Sequence, residues 1–319
     1  MDFFYSSLNA VLVIVLLYLC ALYMRYKGFV KEEHSLVLAK LVTELCLPAM
    51  IFITVANSTF KFDQLEPAFV MLGLEVGCVA FSWWVSVLLK LTRSQQGAVV
   101  LCSAFGSSAF LGYAFIMEVF PGNPKALDEA VLISEVGVGY PIFILAPILA
   151  AKFGSNASSS KEQWKAALSF FKSPVFFALI IGILWSVFNL PKESNRFVSP
   201  FFQLFKTLSG ALTPLAILSI GLMFKIPKLK SIIIPLIVVV LIKLILKPIA
   251  ANFISIGFGF SQLWREVLVI LAAMPSAVLA VVFLRRYGTE EDASLASAIV
   301  IVVTIISVIT LTGIALIIE

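Results

Sequence analysis

Five ionisable side chains lie well inside long apolar runs of this chain: Glu44, Glu75, Glu135, Lys243 and Lys247. Charge at such depth is expensive, so each marks a candidate functional position. Lys243 and Lys247 are one helical turn apart and precede Pro248, which puts both ammonium groups on one helix face. The carboxylate of Glu75 on helix 3 and an ammonium of this lysine pair on helix 8, at matching depth, are expected to form a buried pair. Such a pair either braces two parts of the chain or belongs to a coupling relay. Glu135 stands in LISEVGVGYPIF beside Gly137 and Gly139, small residues that permit close helix approach. A carboxyl group held away from water favours its protonated form, as a proton-coupled step requires. Glu44, one turn before Pro48, reads as a helix-boundary charge, and Glu118 as interfacial.

A second feature is LVILAAMPSAVLAVVFLRR (Leu268–Arg286), an apolar run interrupted by Met274-Pro275-Ser276. Proline has no N–H, so the carbonyl of Leu271 loses its helical donor, and Met274 is pushed out of the α region. In a bilayer the freed groups must face protein, a water-filled cavity or a ligand. One reading is a plain proline kink. The other is a pair of half-helices, the second starting near Ser276. Its unpaired N–H groups and positive dipole end would make a place for an anion.

The elements that must position these groups are membrane spans. Of 319 residues, 61% are hydrophobic and 13% charged, and the mean hydropathy is +1.06. The apolar runs approach the roughly 20 residues needed to cross a bilayer. The net charge of +5 therefore does not point to nucleic acid, because the basic residues fall in short loops. Cys20, Cys46, Cys78 and Cys102 lie in apolar runs without metal-ligand spacing and read as packing residues. His34 sits in a charged loop. No catalytic His/Asp/Ser set, phosphate-cradling glycine loop or metal spacing occurs, so the reading is a non-enzyme without cofactor. Trp83, Trp84, Trp185 and Trp264 fall near predicted span ends, as interfacial belts do.

Apolar length and loop breaks give about ten spans, at 8–26, 36–57, 66–91, 96–120, 127–152, 172–190, 199–224, 229–257, 263–286 and 293–318. The first lacks a basic leader region and a cleavage site, and reads as a retained helix. Odd-numbered junctions are the more basic, for example Arg25, Lys27 and Lys31 at the first and Arg285 with Arg286 at the ninth. Even ones carry Lys61, Lys125, Lys192, Arg196 and Arg265. The positive-inside rule then predicts a multi-pass cell-membrane protein with both termini outside. The polar stretch 153–171 reads as a cytoplasmic linker between halves at 1–152 and 172–319. Five spans per half is odd, so the second half enters the membrane inverted. Echoes support the repeat: Pro48 against Pro214, Gly106-Ser107-Ser108 with Gly112 against Met274-Pro275-Ser276, and Glu75 against Lys243. The sequons at Asn57 and Asn156 read as accidental.

Ala272–Leu311 (AAMPSAVLAVVFLRRYGTEEDASLASAIVIVVTIISVITL) resembles the closing helices of the auxin efflux carrier family, which includes plant PIN-type carriers and bacterial carriers of small organic acids. LCLPAMIF (Leu45–Phe52), SPVFFALIIGILW (Ser173–Trp185), ALTPLAILSIG (Ala211–Gly221) and KLILKPIAA (Lys243–Ala251) match in the family's order. The resemblance implies an all-α polytopic membrane protein, with ten transmembrane helices in two inverted five-helix repeats, akin to bile acid sodium symporters. Helices 4 and 9 would be broken and cross near the midplane, with substrate bound there. The chain departs from the family's helix 4 motif, Asn-Thr-Gly-x-x-Gly-x-Pro. Here Ser107 stands for the asparagine, Gly112 is kept, Tyr113 follows it, and Ala114 stands for the proline.

These observations lead to a secondary carrier of a small organic anion, auxin-like or dicarboxylate-like. Ser107, Ser108, Gly112 and Tyr113 from helix 4, with Pro275 and Ser276 from helix 9, are the expected substrate site. Glu75, Glu135, Lys243 and Lys247 would tune charge or proton coupling. The expected partners are the anion and the lipid bilayer, and the fold admits a homodimer. Two alternatives stay open: a sodium-coupled carrier of amphipathic anions, and a non-transporting membrane receptor or sensor on the same scaffold.

Overall fold

The computed structural model describes residues 16–57, 65–121, 123–154, 172–193, 195–223 and 229–318. The start of the first apolar run, the linker from 155 onward, Ser58, Thr59, Asn156 and the loop residue Lys61 lie outside them. Among the described residues every regular element is helical, and the only β feature is an isolated antiparallel bridge between Gly106 and Ser276. Among the described residues six segments are long and apolar enough to cross a membrane: His34–Asn57, Glu66–Leu88, Lys125–Phe153, Ser199–Ser219, Ile232–Gly257 and Glu290–Ile314.

In chain order, α1 covers 16–26, α2 is His34–Asn57 and α3 is Glu66–Leu88. The next helix comes in two pieces, α4a (Arg93–Ala104) and α4b (108–119). Then follow α5 (124–153), α6 (Pro174–Val187), and α7a (Ser199–Gly210) with α7b (Leu212–Met223). After α8 (229–257), a second helix in two pieces comprises α9a (Gln262–Ala273) and α9b (Val278–Tyr287), and α10 is Glu290–Ile318.

Local chemistry sets many of these limits. Thr92 and Gln95 form a capping box at the start of α4a. Thr289 and Asp292 exchange equivalent bonds ahead of α10. Ser261 accepts from the Trp264 N–H at the start of α9a. Three prolines inside long helices follow a π-helical turn: Val42–Cys46 before Pro48, Glu135–Gly139 before Pro141, and Leu241–Leu246 before Pro248. A proline cannot donate to the preceding turn, and one wider turn absorbs the lost bond without ending the helix. Each of these turns also holds an ionisable residue: Glu44, Glu135 and Lys243.

The helices pack as two groups. In one, α2 lies against α6, α7a and α7b, and α1 meets α7b, where Arg25 donates to the Leu222 carbonyl at 2.9 Å. In the other, α3, α4, α5, α8, α9 and α10 surround the two interruptions. The seam between the groups is formed by α9b and α10 against α2 and α7b. Many side chains facing away from both cores are large and apolar, among them Phe69, Trp84, Ile249, Phe253 and Ile309. Such an outer surface suits hydrocarbon and not water.

Candidate functional site

The interruption in α9 lies where proline chemistry puts it. Met274 leaves the helical region (ψ 142°), and its N–H reaches back to the Leu271 carbonyl at 3.3 Å, replacing the donor that Pro275 lacks. The interruption in α4 needs no proline. Phe105 is extended (φ −83°, ψ 128°), and the helix resumes at Ser108.

The two gaps repair each other. Ser107 N–H donates to the Pro275 carbonyl at 2.8 Å, and Ala277 N–H donates to the Phe105 carbonyl at 2.9 Å. Ser276 Oγ donates to the Cys102 carbonyl at 2.7 Å. The Ala104 carbonyl, at the end of α4a, accepts from both Lys243 Nζ (3.0 Å) and Lys247 Nζ (2.8 Å). Two lysine amino groups thus donate at the negative end of the α4a dipole. Gly106 makes room for this arrangement, since a Cβ there would fall 2.8 Å from Lys243 Nζ. Lys247 Nζ also meets Glu75 Oε1 at 2.6 Å, with both side chains fully buried. The expected buried pair therefore forms with Lys247, one turn beyond Lys243, which donates to the Ala104 carbonyl.

On the other side of the crossing, the starts of α4b and α9b face a common hollow. It is lined by Gly106, Ser107, Ser108 and Ala109 from α4, and by Ala277, Val278 and Leu279 from α9. Ser134, Glu135, Val138, Gly139, Ile142 and Phe143 of α5 complete it, with Met50 of α2 reaching across the seam. The first turn of any helix carries N–H groups with no intrahelical acceptor, so both half-helices aim donors and positive dipole ends here. Ser134 Oγ donates to Ser108 Oγ at 2.8 Å, and Tyr113 Oη donates to Glu135 Oε1 at 2.6 Å. The hollow encloses about 30 Å³, room for one or two water molecules. An organic acid needs this space to widen.

Of the residues singled out in the sequence, Ser107, Ser108 and Glu135 line the hollow. Gly112 packs on α9a, where a Cβ would meet Leu271 Cδ2 at 2.7 Å. Tyr113 sets the orientation of Glu135, Pro275 supplies a carbonyl to the crossing, and Ser276 ties the end of α4a. Glu44 pairs with Arg286 at the partly exposed end of α9b. Met50, Ser134, Ala277 and Val278 escaped notice. Ala277 and Val278 carry a signal, because residues just past Pro275 must start the second half-helix. Met50 carries none, being one apolar residue among many.

All-helical among its described residues, with six helices long and apolar enough to cross a bilayer, the chain is a multi-pass membrane protein in which two interrupted helices exchange main-chain hydrogen bonds. The chain belongs to the membrane transport protein family, whose model matches residues 6–315. This is the family of auxin efflux carriers and bacterial transporters that its closing helices resemble. It is 25% identical to an uncharacterised transporter of Methanocaldococcus jannaschii over 309 residues, 95% of this chain and 96% of that one. It is also 25% identical to an uncharacterised transporter of Methanothermobacter thermautotrophicus, over 97% of each. A Rhizobium meliloti protein provisionally named a malonate transporter is 24% identical over 85% of this chain and 83% of its own length.

Proposed function

We propose that the chain is a secondary active transporter of a small organic anion, working by alternating access. The observation that carries this reading is the convergence of two half-helix N-termini on one hollow beside Ser107, Ser108 and Glu135. A carboxylate there would accept main-chain N–H bonds and meet two positive dipole ends. The provisional name of the Rhizobium relative makes malonate a sensible first candidate.

In this reading the chain forms ten spans as two inverted repeats, 1–152 and 172–319, joined by a cytoplasmic linker, with both termini outside. The α4 and α9 helices would act as the broken pair, each crossing the membrane as two halves. The group containing α2, α6 and α7 would serve as scaffold. The group carrying the crossover would move against it, and Met50 marks the scaffold side of the seam. Glu135, which accepts from Tyr113 Oη, would couple a proton to the anion.

The test is uptake into proteoliposomes of a panel of mono- and dicarboxylates, malonate included. It is run with and without a pH gradient, and with sodium replaced by potassium. Saturable uptake that a proton gradient accelerates and sodium leaves unchanged is the expected result. Strict sodium dependence would instead favour a sodium-coupled carrier, and binding without flux a receptor. Pro275→Ala should cut uptake while the protein still folds, and full activity in that variant would remove the crossover from the mechanism.

A further inference from the structure

A groove of about 540 Å³ lies between α8, α9a and α10, away from the crossover. Its walls are apolar, with Leu244, Ile245, Ile249 and Phe253 from α8, Val269 from α9a and Ile314 from α10. Ile249, Phe253 and, close by on α10, Ile309 are exposed, so the groove opens onto the bilayer-facing surface. Asn252, Gln262, Arg265 and Glu266, all near the α8–α9a turn, form its polar end. From Gln262 to Val269 is seven residues, about 10 Å of helix, which fits within the roughly 15 Å hydrocarbon depth of one leaflet. Trp264, edge-on to Phe260 with centroids 5.8 Å apart, marks the headgroup level beside it.

The polar end has a distinctive charge layout. Among the described residues the Arg265 guanidinium has no ion-pair or hydrogen-bond partner. The neighbouring Glu266 carboxylate accepts only from Gln262 Nε2, at 2.7 Å. One cation and one anion therefore stand side by side, unpaired with each other, above an apolar slot.

We propose that this groove is a binding site for one phospholipid with a zwitterionic ethanolamine headgroup. An acyl chain fills the slot, the phosphate pairs with Arg265, and the ammonium hydrogen-bonds Glu266. A net-anionic headgroup would leave the Glu266 carboxylate facing further negative charge. A choline headgroup has no N–H to donate. The site is separate from the crossover and stands whether or not the chain transports an anion.

The test uses delipidated full-length protein in detergent, titrated with ethanolamine, choline and glycerol phospholipids of matched chains and read by native mass spectrometry. One ethanolamine phospholipid should be retained per chain, about fivefold better than the other two, the increment expected for one charge contact at a membrane surface. Arg265→Gln should weaken all three lipids, and Glu266→Gln should erase the preference for ethanolamine over choline. Gly313→Phe should abolish retention, because a Cβ at Gly313 meets nothing within 4 Å and its ring can enter the groove. Ile249→Trp narrows the same slot from α8 and serves if the first variant fails to fold. Equal retention of the three lipids, or unchanged retention in both groove-filling variants, would overturn the site. So would a lipid-independent dimer that Gly313→Phe splits, since the occupant would then be a second copy. Glycerophosphoethanolamine, which lacks chains, should not compete; effective competition would show headgroup capture without the groove and overturn it equally.

Discussion

Replacing Glu75 with glutamine keeps the shape of the side chain and removes its charge. Lys247 would then be fully buried with no counter-ion, and its remaining partner, the Ala104 carbonyl, is already shared with Lys243. Removing one member of such a pair costs about 3–5 kcal/mol, most of it from stranding the other charge. Replacing both members with apolar residues of similar volume, Glu75→Leu with Lys247→Met, strands no charge, and Lys243 still holds Ala104 at 3.0 Å. The double variant should therefore recover most of the loss, with a coupling energy of about 3 kcal/mol at the upper end of what neighbouring sites show. The measurement is reversible unfolding in mixed micelles, followed by tryptophan fluorescence, for wild type, both single variants and the double. Additive losses, or Glu75→Gln within about 0.5 kcal/mol of wild type, would refute the reasoning, because a contact without charge pairing behaves that way. The same four proteins in the uptake assay separate the two roles of the pair. A stable double variant that still transports makes the pair a brace, and a stable but inert one makes it part of the coupling relay.

Two more outcomes follow from close contacts. Gly137→Ala should lower stability by about 1–3 kcal/mol, because its Cβ would fall 2.6 Å from Met71 Cβ and 2.9 Å from the Ala68 carbonyl. Gly73→Ala, where a Cβ meets nothing within 4 Å, is the control and should not lower stability, since alanine's better helix propensity raises it by up to about 1 kcal/mol. Ser276→Ala leaves the buried Cys102 carbonyl without its 2.7 Å donor and should cost about 1–3 kcal/mol in the same unfolding assay.

Pro275 announced its break because the reason is covalent: a missing N–H ends a helix wherever it falls. The gap at Phe105 has no such cause. A Gly/Ser-rich patch hinted at it, but what holds it open comes from 139 to 174 residues away, in the Lys243, Lys247, Pro275 and Ser276 partners. The absence of the family's proline at Ala114 did not matter, since the chain breaks before Ser107 and not after Gly112. Depth matching left both Lys243 and Lys247 as partners for Glu75, and side-chain reach across the π-helical turn before Pro248 decides that Lys247 meets the carboxylate. The small size of the hollow depends on how Met50, Ile142 and Phe143 pack around it, which no spacing of residues encodes.

Reciprocity at the crossing also bears on how transport, as proposed above, would proceed. Drawing α4 and α9 apart would break the Ser107–Pro275 and Ala277–Phe105 main-chain bonds, the Ser276–Cys102 bond and, if α8 stayed with α9, the lysine bonds to Ala104. With about 1–3 kcal/mol for each bond lost away from water, five such losses come to roughly 5–15 kcal/mol, comparable to the whole stability of a folded domain. The seam between α9b and α2 is tied by the partly exposed Arg286–Glu44 pair, and such a pair is worth only about 0–1 kcal/mol because water can replace it. Elsewhere along that seam, sliding exchanges one apolar contact for another. Widening of the hollow is therefore expected at the Met50 side, with α4 and α9 travelling as one body. A disulfide joining α4 to α9 should leave uptake intact, whereas one joining α9b to α2 should stop it.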